Sequence, residues 1–183
     1  MIRIRQAAIR DYELLAKIGA ETFYDSFATD NASEDMAAYL SASFNPVKQR
    51  IELADSMSRF LIAEINGEAV GYTHLKFSVV PQVITGQKPM EIARLYVRKP
   101  WLGKGVGAHL MKACLQKARA TGCDVIWLGV WKKNLRAISF YRNWGFGEVG
   151  EQTFQLGNDI QEDLLMARPL RIDAHDLVFV DGL

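Results

Sequence analysis

Positions 2–7 alternate, with Ile2 and Ile4 apolar and Arg3 and Arg5 charged, the period-two pattern of a half-buried strand. The period then lengthens. Leu14, Leu15, Ile18, Phe23 and Phe27 fall near helical spacing, and Asp11 stands ahead of them as an N-cap, which predicts a helix over 12–27. A second helix is predicted over 34–44 and a third after Asn45-Pro46, with proline at a first helical position. Two apolar runs, 59–65 and 68–79, flank Asn66-Gly67, a pair that favours positive φ and so predicts a hairpin. A loop over 80–88 holds Pro81 and Gly86. A strand over 90–98, a glycine-led helix over 105–121, a strand over 124–130 and a helix over 135–144 with Asn134 as N-cap come next. Two last strands, 146–156 and 162–170, surround Gly157-Asn158-Asp159. The order is antiparallel hairpins first and a βαβα unit after, which predicts an α/β domain over 1–170 and a tail over 171–183. The tail holds one apolar run, 177–180.

Composition changes this picture little. The 183 residues are 49% hydrophobic and 23% charged with a net charge of +1, so bulk charge does not argue for nucleic acid. The distribution of charge is more informative. Nine acids face three bases between Asp11 and Asp55, whereas ten bases face one acid, Asp124, between Arg98 and Arg142. An acidic half suits a cationic substrate and a basic half an anionic cofactor, although two solvated helix faces would give the same counts. The two cysteines, Cys114 and Cys123, have no metal-ligand spacing, so no metal is expected, and Cys114 shares a helical stripe with Leu110, Met111, Leu115 and Ala118. The alternating N-terminus does not read as a signal peptide, and no apolar run approaches a membrane span. The expectation is a cytoplasmic protein that binds no membrane.

The chemistry is concentrated between 90 and 146. Gly103-Lys104-Gly105-Val106-Gly107-Ala108 opens a helix, where free N–H groups and the positive end of the dipole suit a phosphate. A Walker loop needs a GKS or GKT ending, which is missing. The glycines match a dinucleotide fingerprint, but here strands and helices precede them, and Asp124 starts the next strand instead of ending it. A helix start tightly packed through its glycines, and a cradle for the pyrophosphate of coenzyme A, remain.

Met90 to Phe146 resembles the acetyl-CoA core of the GNAT superfamily of N-acetyltransferases. Asn134-x-x-Ala137-x-x-Phe140-Tyr141-x-x-x-Gly145-Phe146 matches the family pattern in full, whereas Leu102 stands where glutamine or arginine is usual. Residues 126–134, Glu91-Ile92-x-Arg94-Leu95-Tyr96-Val97 and Phe154-x-Leu156-Gly157-x-x-x-Gln161-x-Asp163-Leu164 are similar to the PaiA-type polyamine N-acetyltransferases, as are Glu21-Thr22-Phe23 and Met36-x-x-Tyr39-Leu40. The resemblance implies a GNAT fold: a mixed, mostly antiparallel sheet of about seven strands, flanked by helices and splayed at its centre.

It also implies roles. Acetyl-CoA would be the co-substrate, its pantetheine entering beside Leu95, Tyr96 and Val97. Its pyrophosphate would rest on Leu102, Gly103, Lys104, Gly105, Val106, Gly107 and Ala108. Asn134 would touch the cofactor as well as cap its helix, although the cap alone explains it. Arg142 is either a phosphate contact or a solvated arginine. Tyr141 is the candidate general acid, since a phenol is protonated at neutral pH, or else a packed aromatic. Glu91 is the candidate base, acting through water; at strand rise it lies about 13 Å from Leu95, and a surface acid is the competing reading. Asp25, Asp30, Glu34 and Asp35, with Tyr24 or Trp131, would receive a cation. The implied reaction is direct acetyl transfer to a small polyamine such as spermidine or spermine. Alternatives are a protein N-terminus, lysine, amino acid or drug amine as acceptor, or a non-catalytic acyl-CoA-binding regulator. A homo-oligomer is compatible with all of these.

Overall fold

The computed structural model describes residues 1–157 and 159–170. Seven strands form one sheet in the order β1-β2-β3-β4-β5-β7-β6: β1 (Ile2–Gln6), β2 (Ser58–Ile65), β3 (Glu68–Lys76), β4 (Pro89–Val97), β5 (Val125–Trp131), β6 (Gly147–Leu156) and β7 (Asp159–Pro169). Every neighbouring pair is antiparallel except β4 and β5. Helices α1 (Tyr12–Phe27), α2 (Ser33–Ser43) and α3 (Pro46–Ala54) precede β2, α4 (Val106–Ala120) joins β4 to β5, and α5 (Leu135–Asn143) follows β5.

Local chemistry explains most boundaries. Asn66 and Gly67 both take positive φ, 52° and 82°, as a tight hairpin turn with matching twist requires. The Asn45 side chain accepts from the Lys48 N–H, and Pro46 fills the first helical position of α3. Asp11 behaves differently from the predicted cap. Its carboxylate takes two hydrogen bonds from Arg5, at 2.7 and 2.9 Å, and one from the Ala8 N–H at 2.7 Å. It makes no cap bond to α1. The charged partner on β1 out-competes a neutral helix amide, and Asp11 instead ties the first strand to the turn before the helix. The last strand also starts earlier than predicted, at Asp159 instead of 162, because the Ile160 and Gln161 backbone continues the ladder with β6. The apolar run 177–180 lies outside the described residues.

The central strands divide the core. On one face α4 and α5 bury Met111, Cys114, Leu115, Ile138 and Tyr141 against Ile126, Leu128 and Met166. On the other, α1 and α2 bury Leu15, Ile18, Phe23 and Met36 with Phe60, Tyr72 and Leu156. Cys114 is fully buried, as its helical stripe predicts.

Where β4 meets β5 the sheet opens. The two strands pair only from Pro89↔Val125 to Glu91↔Trp127. Beyond that register β4 stays bound to β3 as far as Val97, and β5 to β7 as far as Trp131. The free halves of the two strands therefore face each other across a gap.

Candidate active site

The gap leads into a cavity of about 680 Å³, a size suited to a small-molecule site. One wall is β4. The Arg98 N–H donates to Val70 O, and the Tyr96 carbonyl lies within 2.8 Å of where a Gly71 Cβ would stand. By strand alternation the backbone groups of Leu95 and Val97 then turn into the gap, while those of Tyr96 turn to β3. Tyr96 lines the cavity, and its ring packs edge-on against Phe23 with the ring centres 6.2 Å apart.

At one end of the cavity lies the glycine turn. Gly103 and Gly105 have φ of 77° and 83°, a region that L side chains enter only at a cost. Among the described residues, and apart from its two chain neighbours, no atom comes within 4 Å of a Cβ placed on Gly103. The backbone N–H groups of Gly103, Gly105, Val106, Gly107 and Ala108 find no partner among the described residues. Five unpaired donors at one helix start, beside empty space, form a cradle that fits a pyrophosphate. Leu102, Gly103, Gly105, Gly107 and Ala108 line the cavity. Val106 points into the core instead, fully buried with Leu110. Lys104 stands with its ammonium 5.1 Å over the Trp101 ring, outside the lining.

Helix α5 forms the opposite wall. The Asn134 side chain accepts from the Ala137 N–H at 3.1 Å and also lines the cavity. At the other end of α5, Gly145 has φ of 79°. The Phe146 N–H returns to Tyr141 O at 3.1 Å, and the Gly145 N–H to Arg142 O at 2.9 Å. This is a left-handed helix stop, and its usual apolar contact is the Tyr141–Phe146 ring pair at 5.8 Å. The spacing of Tyr141, Gly145 and Phe146 thus fixes the ring of Tyr141 at the cavity. Its hydroxyl has no hydrogen-bond partner among the described residues, and burial, with the nearby Cys114, pushes the phenol well above its ordinary range. Arg142 lies outside the lining, exposed and paired with Glu148; Arg136, nearly two helical turns earlier on α5, lines it instead.

The residues from 19 to 146 match the model of the acetyltransferase (GNAT) family. An uncharacterized N-acetyltransferase of Lactobacillus delbrueckii subsp. lactis is 34% identical over 169 residues, 92% of this chain and 98% of the relative. An uncharacterized N-acetyltransferase of Mycobacterium tuberculosis is 32% identical, over 87% and 98% of the two chains. The chain belongs to the GNAT family and is an N-acetyltransferase. Among solved structures, the PaiA N-acetyltransferase of Thermoplasma acidophilum in complex with coenzyme A superposes with a TM-score of 0.76, at 21% identity over 92% of this chain and 99% of that one. At that identity the likeness shows the GNAT fold alone.

Within this GNAT site the expected residues do not all meet. Glu91 stands at the last paired register of β4 and β5, before the strands part, with Lys76 Nζ at 3.4 Å. It does not line the cavity. Of the acidic helix residues, Asp25 lines the cavity; Asp30, Glu34 and Asp35 do not, and neither does the exposed Tyr24. Trp131 is at the far end, whereas Trp127 is buried with Ile84 and Leu165. His74 is buried, bonded to Ser58 and stacked on Phe60, and desolvation lowers it to about 2, so it stays neutral. The lining residues to which the sequence assigned no role at the site are Lys99, Trp101, Arg136 and, at the far end, Phe27, known only from its helical spacing, and Phe154 and Asp163, known only from the stretch similar to the PaiA-type enzymes. They come from five separate elements, and only the closing of the sheet around the gap brings them together.

Proposed function

We propose that the enzyme transfers the acetyl group of acetyl-CoA directly to a primary amine of a polyamine such as spermidine or spermine. One observation carries this reading. A single cavity, lined also by Asp25, runs from a cradle of unpaired amides, through the gap between β4 and β5, to an end where Asp163 stands with Phe27, Tyr39, Trp131 and Phe154. An anion fits the first end and a cation the second.

The cradle from Gly103 to Ala108 would hold the pyrophosphate, with Asn134 and Arg136 beside it. The gap-facing backbone of Leu95 and Val97 would pair with the pantetheine arm and place an N–H by the thioester oxygen, where negative charge develops. Tyr141 would donate a proton to the departing thiolate; its buried phenol begins in the protonated state that this role needs. Cys114 and Cys123 offer no nucleophile. Both are buried, and desolvation raises the Cys114 thiol to about 12. Transfer is therefore direct, with no acetyl-cysteine intermediate.

The test is a panel of amines with acetyl-CoA and detection of released thiol. Spermidine and spermine should be turned over with the highest kcat/KM. A panel in which an α-amino peptide, lysine or aminoglycoside is preferred would overturn the polyamine assignment. Acetyl-CoA binding by calorimetry with no thiol release from any amine would overturn the enzymatic reading of this cavity.

A further inference from the structure

The proposed transfer lacks a group to deprotonate the acceptor. A polyamine nitrogen has a pKa of about 10 and arrives charged. Glu91 is outside the cavity. Asp163 is inside it.

Asp163 lies on β7, opposite Trp131 of β5 and Gln152 of β6. It lines the acceptor end and is only 9% exposed. No ion pair reaches it among the described residues. Burial raises its carboxyl to about 6, and the Gln152 side chain offsets this with one hydrogen bond. A structural carboxylate this deep would normally carry a cationic partner. The neighbouring strand position explains how one could arrive. A Cβ on Gly129 would lie 3.3 Å from Asp163 Oδ2 and 2.7 Å from Gln152 Nε2. With glycine there, the carboxylate is left uncovered toward the gap. Phe27, Tyr39, Trp131 and Phe154 surround the same end, a lining that favours an ammonium.

We propose that Asp163 is the acceptor-side catalytic residue, whose carboxylate holds the incoming ammonium group and takes one proton from it. This rests on the amine acetyl transfer proposed above. The proton balance is complete. Asp163 accepts the first proton and later releases it to solvent. The nitrogen then attacks, the C–N bond forms and the C–S bond breaks. The second proton leaves the nitrogen and restores the one that Tyr141 gives to the thiolate. Other titratable groups face the site. Tyr39 on α2 interacts with the charge of Asp163; Asp25 on α1, Arg94 and Lys99 near β4, and Arg136 and Tyr141 on α5 line the same cavity. Lys132 is held away by Glu151 and Glu162.

The experiment compares the wild type with Asp163→Asn, using spermidine and acetyl-CoA from pH 5 to 9. The expected result is a loss of kcat of about 100-fold or more, with acetyl-CoA affinity by calorimetry kept within about threefold. The acidic limb of the wild-type kcat/KM profile, near pH 6, should be absent from the variant. A variant whose limb persists, or whose kcat stays within about threefold, would overturn the assignment. A second measurement needs no variant: the ¹³C signals of labelled aspartates in the wild type should include one that titrates near 6 and moves to lower pH with spermidine. No such signal, or one that spermidine leaves in place, also overturns it. If the wild type itself releases no thiol with any amine, the amine-transfer reading fails. If it turns over and the variant matches it, this inference fails alone.

Discussion

Two side chains in the cavity are shifted by the same cause in opposite functional senses. Burial keeps the Tyr141 phenol protonated and holds the Asp163 carboxyl up to about 6, because a low-polarity surrounding penalises whichever form is charged. For Tyr141 this would secure the proton donor of the proposed transfer. Tyr141→Phe keeps the ring contacts with Phe140 and Phe146 and removes only the hydroxyl, so kcat should fall by about 100-fold with the acetyl-CoA KM within about threefold, measured by thiol release. For Asp163 the penalty appears in stability. Its folded pKa lies above the ordinary 3.8, so between those values the folded state binds more protons than the unfolded one. The cost is absent below about pH 4, grows through pH 6 and is fully present at pH 7.5. Asp163→Asn should therefore raise unfolding free energy by about 1–3 kcal/mol at pH 7.5 and leave it nearly unchanged at pH 4, read from urea titrations.

At the scale of elements, helix ends set the chemistry. The start of α4 leaves its donors free for a ligand, and the end of α5 locks Tyr141. Gly145 takes φ of 79°, and a Cβ there would meet only the Arg168 side chain, at 3.8 Å or more. The cost of Gly145→Ala is thus conformational and not steric, about 1–2 kcal/mol. It should also loosen the stop that orients Tyr141. The expected outcome is a drop in urea midpoint together with a fall in kcat larger than any change in acetyl-CoA affinity. Both ends were legible in the sequence, since a glycine after a helical pattern and a glycine cluster before one have few other uses. The two readings of Arg142, phosphate contact or solvated arginine, stayed open in the sequence, because adjacent helical residues point about 100° apart. That rotation carries Arg142 to Glu148 outside and leaves Arg136 facing in.

At the scale of the molecule, the sheet is two ladders joined at its centre by three registers, from Pro89↔Val125 to Glu91↔Trp127. A pantetheine arm laid between the free halves would complete the hydrogen bonding there. The amides of Leu95 and Val97 should exchange hydrogen quickly in the free protein and be protected when acetyl-CoA is added, while the Tyr96 amide, already turned to β3, should change little. Mass spectrometry or NMR of amide exchange reads the difference. Equal protection of all three would refute the expected alternation.

Taken alone, the sequence determined what depends on neighbours along the chain. Hydrophobic period, the Asn66-Gly67 turn, the Asn45 and Asn134 caps and the glycine cluster place the elements and one half of the site, because each acts over a few residues. Membership of the acetyltransferase family follows from that same half. Tertiary structure decided the proposed acceptor end. Asp163, Gln152, Gly129, Phe27 and Tyr39 are scattered between α1 and β7, and nothing in their spacing signals that they meet. Glu91 shows the converse: it shares a strand with Leu95, yet the strands part only beyond it, so it stays outside. Whether a carboxylate is buried without a partner depends on which strands pair and where pairing stops, a property of the folded sheet and not of any local run of residues.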